Sequence, residues 1–150
     1  MPMIPERDQK AIREHLAQNL REAVTVDYFT QKAPTLALPI QQCRFCQETG
    51  ELLQEVAALS DRITLRTFDL VADATVAEKF GIQRIPAFVI SGRSRGRVRY
   101  FGIPSGYEFS ALIEDLVDVA QGNSHLGPAE LAALQKLQRD VHLQVFSTPT

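Results

Sequence analysis

Apolar residues recur every three to four positions in several stretches of the chain, and short β-branched or aromatic runs separate these stretches. Ile12, Leu16 and Leu20 stand four residues apart among charged residues, which predicts an amphipathic helix over residues 5–22. The next run, residues 24–29, is rich in β-branched and aromatic residues, as is typical of a strand. The chain is therefore expected to open with a helix and a strand.

The rest of the chain continues this alternation of helices and strands. By the same criteria we expect helices at 43–59, 72–80 and 109–120, and strands at 63–70, 86–90 and 97–101. A turn containing Gly and Ser joins the last two strands, which indicates a hairpin. The order α-β-α-β-α-β-β-α predicts an α/β fold with a four-stranded mixed sheet and helices on both faces.

The end of the chain resembles its beginning. Residues 128–139 are expected to form a helix and 141–146 a strand, and residues 24–30 match 141–147 at a constant offset of 117. The domain prediction is one complete unit over 1–124, which includes an N-terminal helix–strand extension, and the opening helix and strand of a second unit over 125–150. Since that last strand is apolar on both faces, we expect it to be disordered, to fold back on its own unit, or to pair with another molecule as a homodimer.

Composition is ordinary for a soluble globular domain, with 150 residues, 45% hydrophobic and 23% charged. A net charge of −2 argues against general nucleic-acid binding, which needs a clustered excess of Lys and Arg. No apolar stretch approaches the ~18–20 residues of a membrane span. The first residues become charged at once and contain no apolar signal segment, so a cytoplasmic location is expected.

The two cysteines of the chain stand three residues apart, as Cys43-Arg44-Phe45-Cys46, directly before a helical pattern. At a helix start the positive end of the helix lowers the pKa of the outer thiol, Cys43, and Cys46 lies one turn away to resolve a mixed disulfide. Two unreactive buried thiols, or two of the four ligands of a metal site, are the alternatives. His15, His125 and His142 have no metal-ligand spacing, and neither a metal nor a cofactor is expected.

Three separated motifs carry a resemblance to a known family. Residues 43–49, 81–87 and 101–109 resemble the protein disulfide oxidoreductases, which are glutaredoxin-like proteins built from two tandem thioredoxin-fold units. The resemblance covers roughly residues 5–150. It implies a thioredoxin-like first unit with dithiol–disulfide oxidoreductase activity on protein disulfides, and electrons supplied by an upstream thiol reductase. One departure is the stretch 32–42, which is long for this fold and implies a reshaped surface around the active thiol.

The resemblance also implies roles for residues outside the cysteine motif. Pro86 would be a cis proline facing the Cys pair, and the backbone of Ile85 would pair with the bound peptide; the alternative is an ordinary trans proline at a strand start. Asp27 would be a buried carboxylate that moves the proton of the inner thiol, Cys46. Its alternative is a position on a solvent-exposed strand face.

Several basic and aromatic residues near these motifs have less specific expected roles. Arg44 either stabilises the thiolate by its charge or points to water, and Phe45 either packs or forms the substrate-facing rim. The alternating arginines at 93, 95, 97 and 99 share one face of the predicted hairpin. We favour a solvated face that guards an edge strand over a nucleic-acid patch.

Two other functions fit the same residues. The unit would serve mainly for docking or assembly within a two-unit redox protein if its Cys pair were only weakly active. Alternatively, two Cys pairs in a dimer would share zinc or an iron–sulfur cluster, since one pair supplies only half of a tetrahedral site. The pKa of Cys43 separates the first possibility from a redox unit, and the metal content of the purified protein tests the second.

Overall fold

The computed structural model describes residues 2–31 and 43–146 of the chain. Its helices and strands are α1 (Glu6–Asn19), β1 (Val24–Thr30), α2 (Cys46–Ala57), β2 (Ile63–Asp69), α3 (Ala74–Phe80), β3 (Ala87–Ser91), β4 (Val98–Phe101), α4 (Tyr107–Gln121) and α5 (Pro128–Leu134). The predicted order α-β-α-β-α-β-β-α is confirmed through α4.

The four strands form one mixed sheet in the order β2-β1-β3-β4. Strand β1 runs parallel to β2 and antiparallel to β3, and β4 extends the sheet antiparallel to β3. The strand of the predicted N-terminal extension is therefore β1, which lies inside the sheet between β2 and β3. Its carboxyl end, at Thr30, meets the end of β2 and the start of β3.

Side chains alternate along β1 and fill two separate cores. Val24, Val26 and Tyr28 belong to the larger core, which α1, α2 and α4 cover with leucines such as Leu53. Phe29 points to the opposite face, where α3 closes a smaller core. The sheet is therefore covered by helices on both faces, as predicted.

Helices α3 and α4 each end at a glycine, at the positions that the sequence pattern predicted. Gly81 after α3 and Gly122 after α4 have φ values of 69° and 72°, in the left-handed region that favours glycine. None of the helices in the described ranges combines the length and the apolar character that a bilayer crossing needs.

The C-terminal segment differs from its prediction. Helix α5 ends at Leu134, and the predicted strand over 141–146 is wrong for this structure, because those residues pair with none of the described strands. A strand needs a neighbour that supplies hydrogen-bond partners, and among residues 2–31 and 43–146 the strands β1–β4 pair only with one another. The apolar side chains of the segment are exposed, from Leu131 at 42% to Phe146 at 90%. The assignment of 125–150 to a second unit stays a prediction.

Candidate active site

The two cysteines form a disulfide at the amino end of α2. Cys46 is the first residue of the helix and Cys43 precedes it in the turn; their Sγ atoms are 2.04 Å apart and their Cα atoms 5.5 Å apart. Cys46 is buried, with 5% of its surface exposed, whereas Cys43 is half-buried. The outer cysteine is therefore the more exposed residue of the two, as the spacing predicted.

Three hydrogen bonds hold the turn that carries the cysteines. The Tyr28 hydroxyl donates to the carbonyl of Cys46 at 2.5 Å, and the Thr49 hydroxyl donates to the carbonyl of Phe45 at 2.7 Å. The backbone N–H of Cys43 donates to Oε1 of Gln31 at 3.3 Å. Sequence reasoning missed Tyr28, Thr49 and Gln31, because each acts through a backbone partner that no motif specifies.

Tyr28 is suited to act as a permanent donor. Burial raises the pKa of its phenol above the ordinary value; a hydrogen bond with Thr30 opposes this shift, and the negative charge of Glu48 adds to it. The hydroxyl therefore stays protonated at any physiological pH, and its hydrogen bond ties the central strand β1 to the first turn of α2.

Tyr28→Phe removes this bond while keeping the ring, so we expect the oxidised protein to lose about 1 kcal/mol of unfolding free energy. Urea unfolding at constant m-value measures the loss. Tyr107→Phe is the matched control, because the Tyr107 side chain is 88% exposed, and it should leave the midpoint unchanged. Equal midpoints for both variants would show that the Tyr28 hydroxyl does not stabilise the turn.

Pro86 lies at the same edge of the sheet as the cysteines. The Ile85–Pro86 peptide bond is cis, as predicted, and Pro86 is buried. Because Phe29 pairs with Ala87, the antiparallel register places Pro86 opposite Thr30. The next residue after Thr30 is Gln31, which holds the N–H of Cys43. The fold therefore brings the Cys pair and the cis proline to the carboxyl end of β1.

Asp27 is fully buried on β1, so its predicted alternative, an exposed position, is wrong. Its two carboxylate oxygens accept hydrogen bonds from Nε and Nη2 of Arg66 on β2, at 2.5 and 2.8 Å. The bond to the carboxylate raises the pKa of Arg66. Within the described ranges no hydrogen bond joins Asp27 to Cys46, and the proton-transfer role of Asp27 stays a prediction.

Arg44 and Phe45, between the two cysteines, are both exposed. The guanidinium carbon of Arg44 lies 5.0 Å from the centre of the Phe45 ring, a cation–π distance. The pair is therefore a surface feature beside the disulfide. This position agrees with a rim for Phe45, and the tuning role of Arg44 stays a prediction.

The remaining predicted features lie away from the centre or outside the described residues. The long stretch 32–42 is outside them. His15 contacts Glu114 at 3.3 Å and His125 contacts Asp118 at 2.7 Å, in surface pairs. Over 2–31 and 43–146, no three His, Cys, Asp or Glu side chains are grouped to hold a metal ion.

Residues 14–103, more than half of the chain, match the model of a family described as a domain of unknown function, DUF7088. The chain belongs to the DUF7088 family. No curated protein matches the chain. The DUF7088 match begins within α1, includes the Cys pair and Pro86, and ends just after β4, so it contains the whole sheet.

Solved structures show which fold this DUF7088 member has. A protein disulfide oxidoreductase from Aeropyrum pernix is similar with a TM-score of 0.73 and 26% identity, over 89% of this chain and 55% of its own. The alkylhydroperoxide reductase protein AhpF from Enterococcus faecalis gives 0.72 and 21%, over 89% of this chain and 61% of its own. The chain thus spans little more than half of these proteins. The predicted thioredoxin-like fold and the resemblance to protein disulfide oxidoreductases are confirmed.

Proposed function

We propose that this DUF7088 domain is a dithiol–disulfide oxidoreductase that acts on protein disulfides through Cys43 and Cys46. The observation that carries the proposal is the bonded Cys pair at the amino end of α2, with the cis Pro86 at the same edge of the sheet. The likeness to a protein disulfide oxidoreductase supports it.

The difference in exposure between Cys43 and Cys46 supports the proposed order in which the two sulfurs act. In the reduced protein, the Cys43 thiolate attacks one sulfur of a substrate disulfide, a mixed disulfide forms, and the first substrate thiolate leaves and takes up a proton. The Cys46 thiolate then attacks Sγ of Cys43 and releases the second substrate thiolate, which is also protonated. Two electrons and two protons reach the substrate, and the protein is left as the Cys43–Cys46 disulfide. An upstream thiol reductase restores the dithiol by the reverse exchange.

The residues around the pair support these steps in different ways. The amino end of α2, with its unpaired N–H groups and positive dipole, lies next to Cys43 and is proposed to stabilise the thiolate of the reduced protein. The backbone of Ile85, before Pro86, is proposed to pair with the substrate peptide, and Arg44 and Phe45 to form the rim. Asp27 is proposed to accept the proton of Cys46 during resolution.

A redox titration tests the proposal. The protein is equilibrated in defined thiol–disulfide buffers, and the oxidised fraction is obtained from the mass added on alkylation. We expect one reversible two-electron transition with a midpoint of roughly −180 to −280 mV, the range of exchange catalysts. A midpoint below about −300 mV would identify a structural disulfide instead. A stoichiometric metal released on acidification would point to the metal-sharing dimer.

A docking or assembly unit with a weakly active Cys pair is the second candidate. It is favoured by the exposed apolar side chains of the C-terminal segment, among them Leu131, Leu134 and Phe146. The pH dependence of Cys43 alkylation distinguishes the two candidates. A depressed thiol pKa supports the redox unit, and an ordinary one supports the docking unit.

The same segment underlies the proposed domain organisation. We propose that 1–124 is one thioredoxin-fold unit, and that 125–150 opens a second one or pairs through 141–146 in a homodimer. The constant offset between 24–30 and 141–147 supports the repeat. We further propose a cytoplasmic location, since exchange with a thiol reductase needs a reducing compartment.

A further inference from the structure

Three arginines gather on one side of the sheet near its β4 edge. Arg97 and Arg99 alternate with Val98 and Tyr100, so the arginines share a face with Phe101. Arg99 pairs with Val89, whose side chain lies in the smaller core beside α3. Arg97 and Arg99, together with Arg84, are called the arginine face below.

Aromatic rings and a carbonyl hold these guanidinium groups in place. The guanidinium carbon of Arg97 lies 5.2 Å from the ring centre of Phe80, and that of Arg84 lies 5.7 Å from the ring centre of Phe101. Nη1 of Arg99 donates to the carbonyl of Phe80 at 3.5 Å. Stacking orients a guanidinium without neutralising it, since the ring carries no net charge.

The charge of the arginine face is not compensated within the described residues. There, the arginines with a carboxylate within 4.0 Å are Arg66, paired with Asp27, and Arg93, paired with Glu22. The three members of the arginine face have no such partner among residues 2–31 and 43–146. The whole chain carries a net charge of −2, so the face is a local positive excess on an otherwise slightly acidic protein.

The arginine face borders the redox centre. Phe101, under Arg84, pairs with Ala87, and the N–H of Gly102 donates to the carbonyl of Pro86 at 2.8 Å. Arg84 itself precedes the cis Pro86 by two residues. A polypeptide placed along the Pro86 loop would therefore extend onto the arginine face.

We propose that the arginine face recruits acidic protein partners, so that disulfides flanked by Asp and Glu are exchanged faster than others. The proposal rests on the proposed exchange function. Oriented, uncompensated guanidinium groups form bidentate hydrogen bonds with carboxylates, and a positive field speeds the encounter with a negative partner. The position beside the disulfide favours an acidic protein over a nucleic acid, because the proposed exchange function acts on protein disulfides.

Three synthetic peptides test the preference. They share one internal disulfide and differ only in flanking residues, which are Glu, Gln or Lys. Stopped-flow rates with the reduced protein should be about 10-fold higher for the Glu peptide than for the Gln peptide at an ionic strength of about 0.01 M, and lowest for the Lys peptide. At about 1 M, where the Debye length is ~3 Å, the three rates should converge.

Each variant is judged by the ratio of its rate with the Glu peptide to its rate with the Gln peptide, because the active fraction of the preparation cancels in this ratio. The double change Arg84→Gln, Arg99→Gln should bring the Glu-to-Gln ratio close to one. The matched control Arg93→Gln, Arg95→Gln removes the same charge from the β3–β4 turn and should keep the ratio. Equal rates for all three peptides would overturn the proposed role of the arginine face but would leave the exchange function intact. No reaction with any peptide would overturn the exchange function as well.

A nucleic-acid role for the same face is tested by fluorescence anisotropy with a labelled single-stranded DNA 20-mer at about 0.15 M salt. We expect no saturable binding. Saturable binding that the Arg84, Arg99 variant loses would overturn the acidic-protein proposal in favour of a nucleic-acid ligand.

Discussion

Replacing Cys43 by Ser should lower the rate of disulfide exchange by on the order of 10⁴-fold or more, as expected for the loss of a nucleophile. Cys46→Ser should behave differently. Its Cys43 thiolate still attacks, but the mixed disulfide is not resolved from within the protein, so one substrate molecule stays attached. Stopped-flow fluorescence of a peptide disulfide measures the first effect, and intact-protein mass spectrometry after acid quench measures the second.

The two variants control for each other, because each keeps one thiol and removes the disulfide. If the assignment from exposure is right, only Cys46→Ser accumulates the adduct, since Cys43 is half-buried and Cys46 is 5% exposed. Adduct formation on Cys43→Ser instead would reverse the order of attack. Fast exchange by both single variants would rule out the two-thiol mechanism.

The parts of this centre that sequence reasoning predicted are those with a local cause. Cys43 and Cys46 are three residues apart, so one helix start places both sulfurs together. Pro86 and Gly81 act through their own backbone geometry, which the ring of proline and the absence of a Cβ in glycine allow. Apolar spacing was sufficient for the order of elements through α4, since each helix or strand buries one face of its own pattern.

The parts that escaped prediction depend on partners distant in sequence. Asp27 and Arg66 are 39 residues apart, and only the parallel pairing of β1 with β2 sets them opposite each other. The bond from Tyr28 to the Cys46 carbonyl likewise depends on how α2 lies across the sheet. The sequence does not distinguish a buried tyrosine that donates a hydrogen bond from an ordinary core residue, because the tertiary structure determines its hydrogen-bond partner.

The C-terminal segment and the arginine face show two further limits of prediction from sequence patterns. The β-branched and apolar residues over 141–146 are typical of a strand, but a strand forms only where a sheet edge supplies hydrogen-bond partners. The alternating arginines at 93–99 were readable in the sequence. Only Arg99 lies on β4, and Arg93 and Arg95 lie in the β3–β4 turn, so strand geometry does not place all four on one face. The phenylalanine that orients Arg97 lies on α3, which no local pattern connects to that strand.

The Asp27–Arg66 pair is expected to be the most sensitive point of the fold outside the core. Arg66→Met leaves a carboxylate that is 1% exposed without its cation, and a buried charge without a partner is costly. We expect a loss of about 3 kcal/mol in unfolding free energy. This is the lower end of the usual range, because the Arg66 side chain is itself 52% exposed. Urea unfolding of the oxidised protein measures it.

A double-mutant cycle separates the free-energy cost of an unpaired buried charge from the cost of a lost side-chain contact. Asp27→Asn combined with Arg66→Met removes both charges, so the double variant should be about 1–2 kcal/mol more stable than Arg66→Met alone. Arg93→Met is the surface control: Arg93 and Glu22 are 67% and 48% exposed, and breaking their pair should cost less than about 1 kcal/mol. Equal losses for Arg66→Met and Arg93→Met would mean that the Asp27 carboxylate is solvated in the folded protein. In that case the burial that motivates its proton-transfer role would not hold in solution.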